Sequence, residues 1–249
     1  MRQDILDKNK AAWNAIADDW FGTTALPTYG VMIPEETTLC LFGDVAGKRV
    51  LDIGCGSGHS LKYLGDRGAA ELWGLDLSEK QIENAGGFLR QSGYAPHLFV
   101  SPMEEDPGLP TEYFDVVYSI YALGWTVDMD QTLARIASYL KKDGILIFSW
   151  DHPFMHCVDL EGERLVFSGS YHEPEAFASS KGGNPVFMFN RRLSDYINPL
   201  AKAGFAVERL VEETEPAALE RDGAVHSKYY SPLKARHFPL SFVIKARKL

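Results

Sequence analysis

The chain has 249 residues, 45% hydrophobic and 12% aromatic, enough for one sizeable core but small for two full domains. Its formal net charge of -9 argues against a nucleic-acid partner, whose phosphates require a basic surface. Cys40, Cys55 and Cys157 are odd in number and widely spaced, which gives no disulfide framework and points to a reducing compartment.

The opening Met1-Arg2-Gln3-Asp4 leads into a charged helix and not into an apolar leader. No run approaches the ~18 apolar residues of a membrane span, so a soluble, cytoplasmic chain without a membrane partner is expected. Trp13, Ile16, Ala17 and Trp20 fall at helical spacing and predict an amphipathic helix over 4–20. A loop passes through Pro27, Tyr29 and Gly30, and Pro34 then opens a short helix to about Phe42. Gly43 and Gly47 mark the turn before a strand, Arg49 to Ile53.

Strand and helix alternate from there. A helix over 59–66 precedes a strand, Leu72 to Leu75, that ends at Asp76. Ser78 caps the next helix and Gln81 completes a capping box, with Ile82, Ala85 and Leu89 as its buried stripe. Leu98 to Val100 and Phe114 to Ser119 read as strands. Leu133, Ile136, Ala137 and Leu140 define a helix stopped by Lys141, Lys142 and Gly144, and Ile145 to Trp150 is the next buried strand. This order predicts an α/β fold, a doubly wound parallel sheet with helices on both faces.

The pattern breaks over 153–190, which is rich in aromatics and reads as an inserted lid. Arg164 to Phe167 and Val186 to Phe189 are expected to pair as a ribbon, with a turn at Ser179-Ser180-Lys181-Gly182-Gly183. Leu193, Tyr196, Ile197 and Leu200 restore a helix ended by Gly204, and Phe205 to Val211 and Ser241 to Ala246 are closing strands. An acidic run (Glu212, Glu213, Glu215, Glu220, Asp222) precedes a basic one (Lys228, Lys234, Arg236, Lys245, Arg247, Lys248); both read as solvated faces.

Gly54, Gly56 and Gly58 lie between a buried strand and a helix, where glycine lets the backbone turn sharply and approach a ligand. The dinucleotide fingerprint is G-x-G-x-x-G, whereas here the spacing is G-x-G-x-G and position 59 is His. Asp52 places a carboxylate at the strand end, which repels a pyrophosphate and suits a cationic ammonium. Asp76, which ends the following strand, is placed to take both hydroxyls of a ribose. S-adenosylmethionine has the ammonium, the ribose and no phosphate.

Val50-Leu51-Asp52-Ile53-Gly54-Cys55-Gly56-Ser57-Gly58 is similar to the first motif of class I S-adenosylmethionine-dependent methyltransferases, and Leu75-Asp76-Leu77-Ser78 resembles their second. Phe114-Asp115-Val116-Val117 resembles their fourth strand, and Leu140 to Leu146 the helix-turn-strand of the fifth. The resemblance is strong over 45–150 and implies a Rossmann-like seven-stranded sheet whose last strand runs antiparallel. It implies one domain over 1–249: an N-terminal helical lid (1–44), a cofactor-binding core (45–152), an inserted lid (153–190), and a C-terminal helix with closing strands (191–249).

By the same resemblance Asp52, Gly54, Cys55 and Gly56 line the methionine part of the cofactor, Asp76 and Leu77 its ribose side, and Met103 and Glu104 its adenine. Pro102 stands where many members have an Asp, which leaves open what meets the adenine amino group; Met103 reads equally well as core. Ser119 and Tyr121 are implied near the methionine and the transferred methyl. The cofactor would be S-adenosylmethionine, released as S-adenosylhomocysteine.

No residue is assigned as catalyst. Asp151 beside His152 is a candidate pair in which the carboxylate orients the imidazole, and Tyr121 is a third candidate; His152 reads alternatively as a cap on the turn before Pro153. His152, His156 and Cys157 invite a metal reading that Pro153 weakens, so no metal is expected. Tyr29, Tyr121, Trp125 and His152, with Trp13 and Trp20, are candidates for an acceptor pocket; plain helix packing is the other reading of Trp13 and Trp20. The acceptor is expected to be a small molecule, on the acidic charge, the aromatic lid segments and the absence of an added RNA-binding module; Ser119-Ile120-Tyr121-Ala122 lacks the Asn/Asp-Pro-Pro-aromatic motif, which argues against nucleobase amino methylation. An RNA or protein acceptor, a nicotinamide-dependent oxidoreductase and a non-catalytic S-adenosylmethionine-binding protein are the alternatives.

Overall fold

A computed structural model of the chain describes residues 2–162, 164–173, 176–181, 183–220 and 230–249. The first half alternates helix and strand: α1 (Arg2–Ile16), α2 (Glu36–Leu39), β1 (Arg49–Ile53), α3 (His59–Gly65), β2 (Glu71–Asp76), α4 (Glu79–Gln91), β3 (His97–Val100) and β4 (Phe114–Ile120). Next come α5 (Met129–Tyr139), β5 (Leu140–Asp151), β6 (Val158–Glu161), β7 (Arg164–Phe167), β8 (Ala176–Lys181) and β9 (Asn184–Phe189). The chain closes with α6 (Ser194–Lys202), β10 (Phe205–Val211), α7 (Pro216–Leu219), α8 (Pro232–Ala235) and β11 (Ser241–Lys248).

Seven strands form one sheet in the order β10-β11-β5-β4-β1-β2-β3. The five from β5 to β3 run parallel, and β11 is antiparallel to both of its neighbours. Strand side chains alternate between faces, and the core divides accordingly. Leu51, Val117, Phe148 and Ile244 meet Leu133 and Ile136 of α5 and Tyr196 and Leu200 of α6 on one face. Val50, Val116, Ile147 and Val243 meet Leu61 and Leu64 of α3 and Leu89 of α4 on the other. Near-continuous apolar strands are therefore the sequence of a sheet covered on both sides.

Several local expectations change. The first helix ends at Ile16, and Trp20 follows it in a turn closed by Trp20 N–H to the Ile16 carbonyl. The second helix is a single turn from Glu36, and β5 starts at Leu140 because the ladder with β4 shifts register, with Phe114 opposite Leu140 but Val116 opposite Ile145. The expected pairing of 164–167 with 186–189 does not occur. β7 pairs with β6 and β9 with β8, each as a local hairpin with a left-handed glycine at its tip, Gly162 and Gly183. Closing a short loop costs less entropy than closing one of ~20 residues, so the local partner wins. Ser179 to Lys181 accordingly belong to β8 and not to a turn; Gly182 lies outside the described residues.

Among the described residues, the end of the basic C-terminal run is tied back to the fold. Lys245 donates to the Leu41 carbonyl, Arg247 bridges Glu208 and Asp143, and Lys248 donates to the Leu140 carbonyl. Asp222 and Lys228 lie outside the described residues. No helix among the described residues is long and apolar enough to cross a membrane.

Candidate cofactor and acceptor site

β1 delivers the chain into Gly54 at φ +75°, and the N–H groups of Gly54 and Cys55 both donate to the Leu75 carbonyl, at 2.8 and 2.9 Å. A Cβ on Gly54 would stand 2.4 Å from the Ala122 Cβ, so only glycine lets the loop pass beneath the end of β4. A Cβ on Gly58, at φ +82°, would meet Leu89 at 3.0 Å and Ala85 at 3.2 Å. Gly58 thus does the helix packing that a third glycine one position later does in dinucleotide folds. His59 is free for another contact: it stacks on Phe88 with centroids 4.0 Å apart, and its Nδ1 lies 3.0 Å from Ser57 Oγ. Burial, then the Lys62 charge, lowers the His59 pKa and keeps the ring neutral.

Two carboxylates face this loop. Asp76 accepts from Gly56 N–H at Oδ2 and from Ser78 N–H at Oδ1, both at 2.9 Å. It therefore fixes the glycine loop to the start of α4 and keeps lone pairs on both oxygens. Burial raises its pKa, and the Ser78, Gly56 and Leu77 N–H groups oppose the rise. Asp52 is 2% exposed, and its Oδ1 has no hydrogen-bond partner. Burial pushes its carboxyl well above the usual range; the nearby Tyr118 hydroxyl opposes this and the Asp76 charge adds to it.

Unpartnered buried polar atoms are uncommon in folded proteins, and three of those found among the described residues belong to this cleft. Asp52 Oδ1, Gln81 Oε1 and Glu104 Oε2 all lack partners and belong to residues of the same cleft. Glu104 is otherwise engaged, its Oε1 accepting from the Thr126 hydroxyl and the Val127 N–H at 2.6 Å. A ligand with a cationic amine, a ribose, a base edge and no phosphate fits this donor set, because a cation lowers the cost of the buried Asp52 charge.

The cleft encloses about 970 Å³ including its mouth. Asp52, Gly54, Cys55, Gly56, Asp76, Leu77, Met103, Glu104, Tyr121 and Trp125 are brought together on its walls, and Trp13 and Trp20 line it too. Trp13 stands edge-on to Trp20 and to Trp125, with centroids 5.6 and 5.3 Å apart. Sequence reasoning missed Leu6, Asn9, Thr23, Thr24 and Gln81, which also line it. Asn9 carries no motif, yet its side chain donates to the Phe187 carbonyl at 3.0 Å and accepts from the Phe187 N–H at 2.8 Å, clamping α1 to β9. Lys181 of β8 lies 4.0 Å above the Trp20 ring and 5.1 Å above Trp13. Gln81 had a readable signal, a polar residue one turn into the helix after Asp76. Only half of its capping box forms: Ser78 Oγ accepts from Gln81 N–H, but Ser78 N–H goes to Asp76.

Four expected residues fall elsewhere. Ser119 is fully buried and donates to the Ile53 carbonyl at 2.7 Å, joining β4 to β1 instead of lining the cleft. Tyr29 is also fully buried, donating to Glu36 Oε2 at 2.6 Å and stacking on Phe42, because Glu36 already gathers the Leu41 and Phe42 N–H groups there. His152 caps the turn after β5: its Nδ1 accepts from Phe154 N–H at 3.2 Å, so Nε2 carries the proton toward Glu212 Oε1 at 2.9 Å. Asp151 does not orient that imidazole. It accepts hydroxyl protons from Tyr121 and Tyr230 on its other side. Cys157 Sγ donates to the Pro153 carbonyl, and no group of three His, Cys, Asp or Glu among the described residues is set to hold a metal ion.

A family model described as a methyltransferase domain matches residues 51–148. An uncharacterized protein of Haemophilus influenzae is 31% identical over 231 residues, covering 88% of each chain. The ubiquinone biosynthesis O-methyltransferase of an Azoarcus species is 34% identical over 105 residues, 42% of this chain and 45% of that enzyme, so the similarity spans less than half of that relative. In three dimensions the chain is similar to an S-adenosylmethionine dependent methyltransferase from Listeria monocytogenes, with a TM-score of 0.68 at 25% identity over 85% of this chain and 95% of that one.

Proposed function

The chain belongs to the class I S-adenosylmethionine-dependent methyltransferase family, and we propose that the acceptor of its methyl group is a small, largely apolar molecule held beneath the chain's own lid. Bound S-adenosylmethionine supplies a methyl group already activated by its sulfonium. Asp52 would receive the ammonium of the cofactor, and the Gly54–Gly56 backbone would lie along its methionine part. Asp76 would take the ribose hydroxyls with Leu77 beside it, and Met103 and Glu104 would lie against the adenine.

One observation carries the acceptor reading. Trp13, Trp20 and Trp125 line the cleft with a wall of indole, Trp13 standing edge-on to the other two, and α1, which carries Trp13, is clamped to β9 by Asn9. Such a wall takes an apolar body, excludes water and leaves the protein to align acceptor and methyl. A polymer acceptor needs an open, complementary face, and the charge of -9 opposes a nucleic acid. The relative named for ubiquinone biosynthesis is consistent with a small molecule. Three free thiols suit a cytoplasmic setting.

The test is a screen of small hydroxylated and amine compounds read by release of S-adenosylhomocysteine, with mass spectrometry of the product. A compound that gains one methyl supports the reading; turnover on tRNA or a protein alone overturns it. Calorimetry settles the remaining alternatives: heat from NAD and none from S-adenosylmethionine favours an oxidoreductase, and cofactor binding without turnover on any compound or polymer favours a non-catalytic binder.

A further inference from the structure

Tyr121 is held more firmly than a wall residue requires. Its backbone sits at φ +54°, a left-handed conformation that bulky side chains rarely adopt. Its N–H donates to Ser149 Oγ at 3.2 Å. Its ring presses on Gly30, where a Cβ would stand 2.3 Å from Tyr121 Cε2, so the loop before α2 is shaped to admit the ring. Its hydroxyl donates to Asp151 Oδ1 at 2.5 Å and lies 2.8 Å from Ser241 Oγ.

The carboxylate that takes this proton is itself unusual. Asp151 is 6% exposed, and the only cation whose charge is felt there among the described residues is Lys181 of β8. Besides Tyr121 it accepts from the Tyr230 hydroxyl, at 3.0 and 3.2 Å. Packing alone is served by phenylalanine and needs no buried charge, which is costly to keep. Tyr121 also lines the cleft, and the next residue, Ala122, is the one that abuts Gly54. Tyr121 therefore lines the cleft directly beside the glycine loop.

We infer that Tyr121 and Asp151 form a proton relay for the acceptor, which makes the acceptor a compound with an ionisable hydroxyl of the phenol or enol class. The inference rests on the small-molecule reading above. In the step, the acceptor oxygen forms its bond to the methyl carbon as the carbon–sulfur bond breaks, leaving a neutral thioether. The acceptor's proton moves to Tyr121 Oη while the Tyr121 proton moves to Asp151 Oδ1, so the carboxylate ends as a neutral acid. Tyr121 is the catalytic residue of this pair and Asp151 a positioning group that stores the proton. Burial holds the Asp151 carboxyl up at about 6 against the pull of the Tyr121 and Tyr230 hydroxyls and of the Lys181 charge, a value from which a group both accepts and returns a proton near neutrality.

The experiment needs no knowledge of the natural acceptor. The full chain saturated with S-adenosylhomocysteine is titrated at pH 6 with 4-nitrophenol, whose neutral and ionised forms absorb at different wavelengths. The wild-type protein is expected to bind it in the ionised form. Tyr121→Phe and Asp151→Asn are each expected to reduce the ionised band at least tenfold, while urea unfolding still shows a single cooperative transition, which certifies the fold. Nitrophenol bound in its neutral form by the wild type, or an equal ionised band in Tyr121→Phe, overturns the relay and leaves the small-molecule reading standing. No bound nitrophenol at millimolar concentration overturns that reading and the relay together.

Discussion

Replacing Asp76 with Asn separates two duties that one carboxylate performs. Each oxygen of Asp76 accepts one backbone N–H, from Gly56 and from Ser78, at 2.9 Å. Asparagine has one acceptor oxygen and one donor nitrogen, so in either orientation one N–H faces an amide donor. A hydrogen bond to a charged group is worth roughly 1.5–3 kcal/mol, and losing one leaves a buried donor unsatisfied. Removing the charge also removes a desolvation cost, since burial raises the Asp76 pKa. The two effects oppose each other in folding, and the net loss of stability is expected to be about 1–2 kcal/mol. They do not oppose each other in binding. The glycine loop shifts, and a proposed ribose acceptor becomes a donor, so S-adenosylhomocysteine affinity should fall roughly 10- to 100-fold, or about 1.4–2.7 kcal/mol. Calorimetric titration gives the affinity, and urea unfolding with an unchanged m-value gives the stability. Affinity within twofold of wild type would refute the assignment of Asp76 to both duties.

Three further outcomes are expected. Gly54→Ala combines a left-handed backbone (φ +75°) with a Cβ 2.4 Å from Ala122, and should cost ~2–5 kcal/mol in urea unfolding and abolish measurable cofactor binding; Gly43→Ala, at φ +60° with nothing within 4 Å, should cost only the ~1–2 kcal/mol of the backbone. Asn9→Ala breaks both bonds to the Phe187 backbone, and hydrogen exchange over 184–189 should accelerate at least about tenfold with little change in β1 or β4; uniform protection would show that α1 does not clamp the ribbon. Asp151 holds its proton up to about 6 in the fold against 3.8 as the ordinary value, so its stabilisation is complete below about pH 4 and is lost as pH rises through about 6. The stability of wild type relative to Asp151→Asn should therefore fall between pH 4 and pH 7, by on the order of 3 kcal/mol. A flat difference across urea unfolding curves at pH 4, 5.5 and 7 would mean that the carboxyl is not buried in solution.

The sheet was legible because its signals are local. Val50, Leu51 and Ile53 announce a strand buried on both sides, Gly54 and Gly58 announce the turn, and Ser78 announces the helix start. The fingerprint residues of the cleft followed, since Asp52 and Asp76 sit at strand ends that the same alternation locates. Ser119 failed for a physical reason: at a strand end the residue before a cleft-lining position, here Ile120, points the other way, and a small hydroxyl is satisfied by the nearest carbonyl, here Ile53. Tyr29 failed likewise, because a phenol goes where an acceptor is, and Glu36 offered one in the core. Neither acceptor can be read from the residue that finds it.

The acceptor side was illegible for a deeper reason. Its contacts join segments that no period relates: Asn9 to Phe187, Val31 to Ser241, Tyr121 to Asp151 and, through that carboxylate, to Tyr230. The inserted ribbon supplies one part, the N-terminal helix another, and the ends of β4 and β5 the rest. A cofactor common to a family can be held by contiguous motifs, because its shape does not change between members. An acceptor peculiar to one member must be met by the parts that vary, which in this fold are α1, the insertion between β5 and α6, and the loops at the strand ends. Adjacency in sequence misled in the same place. Asp151 next to His152 looked like an acid–base pair, yet the strand ends at Asp151 and His152 turns to cap the next segment, so each found its own partner: Glu212 for the imidazole, Tyr121 for the carboxylate. The chemistry of the acceptor is therefore read from the group that lines the cleft beside the glycine loop. In the proposed relay that group is the phenol held by Asp151, and not the histidine next in sequence.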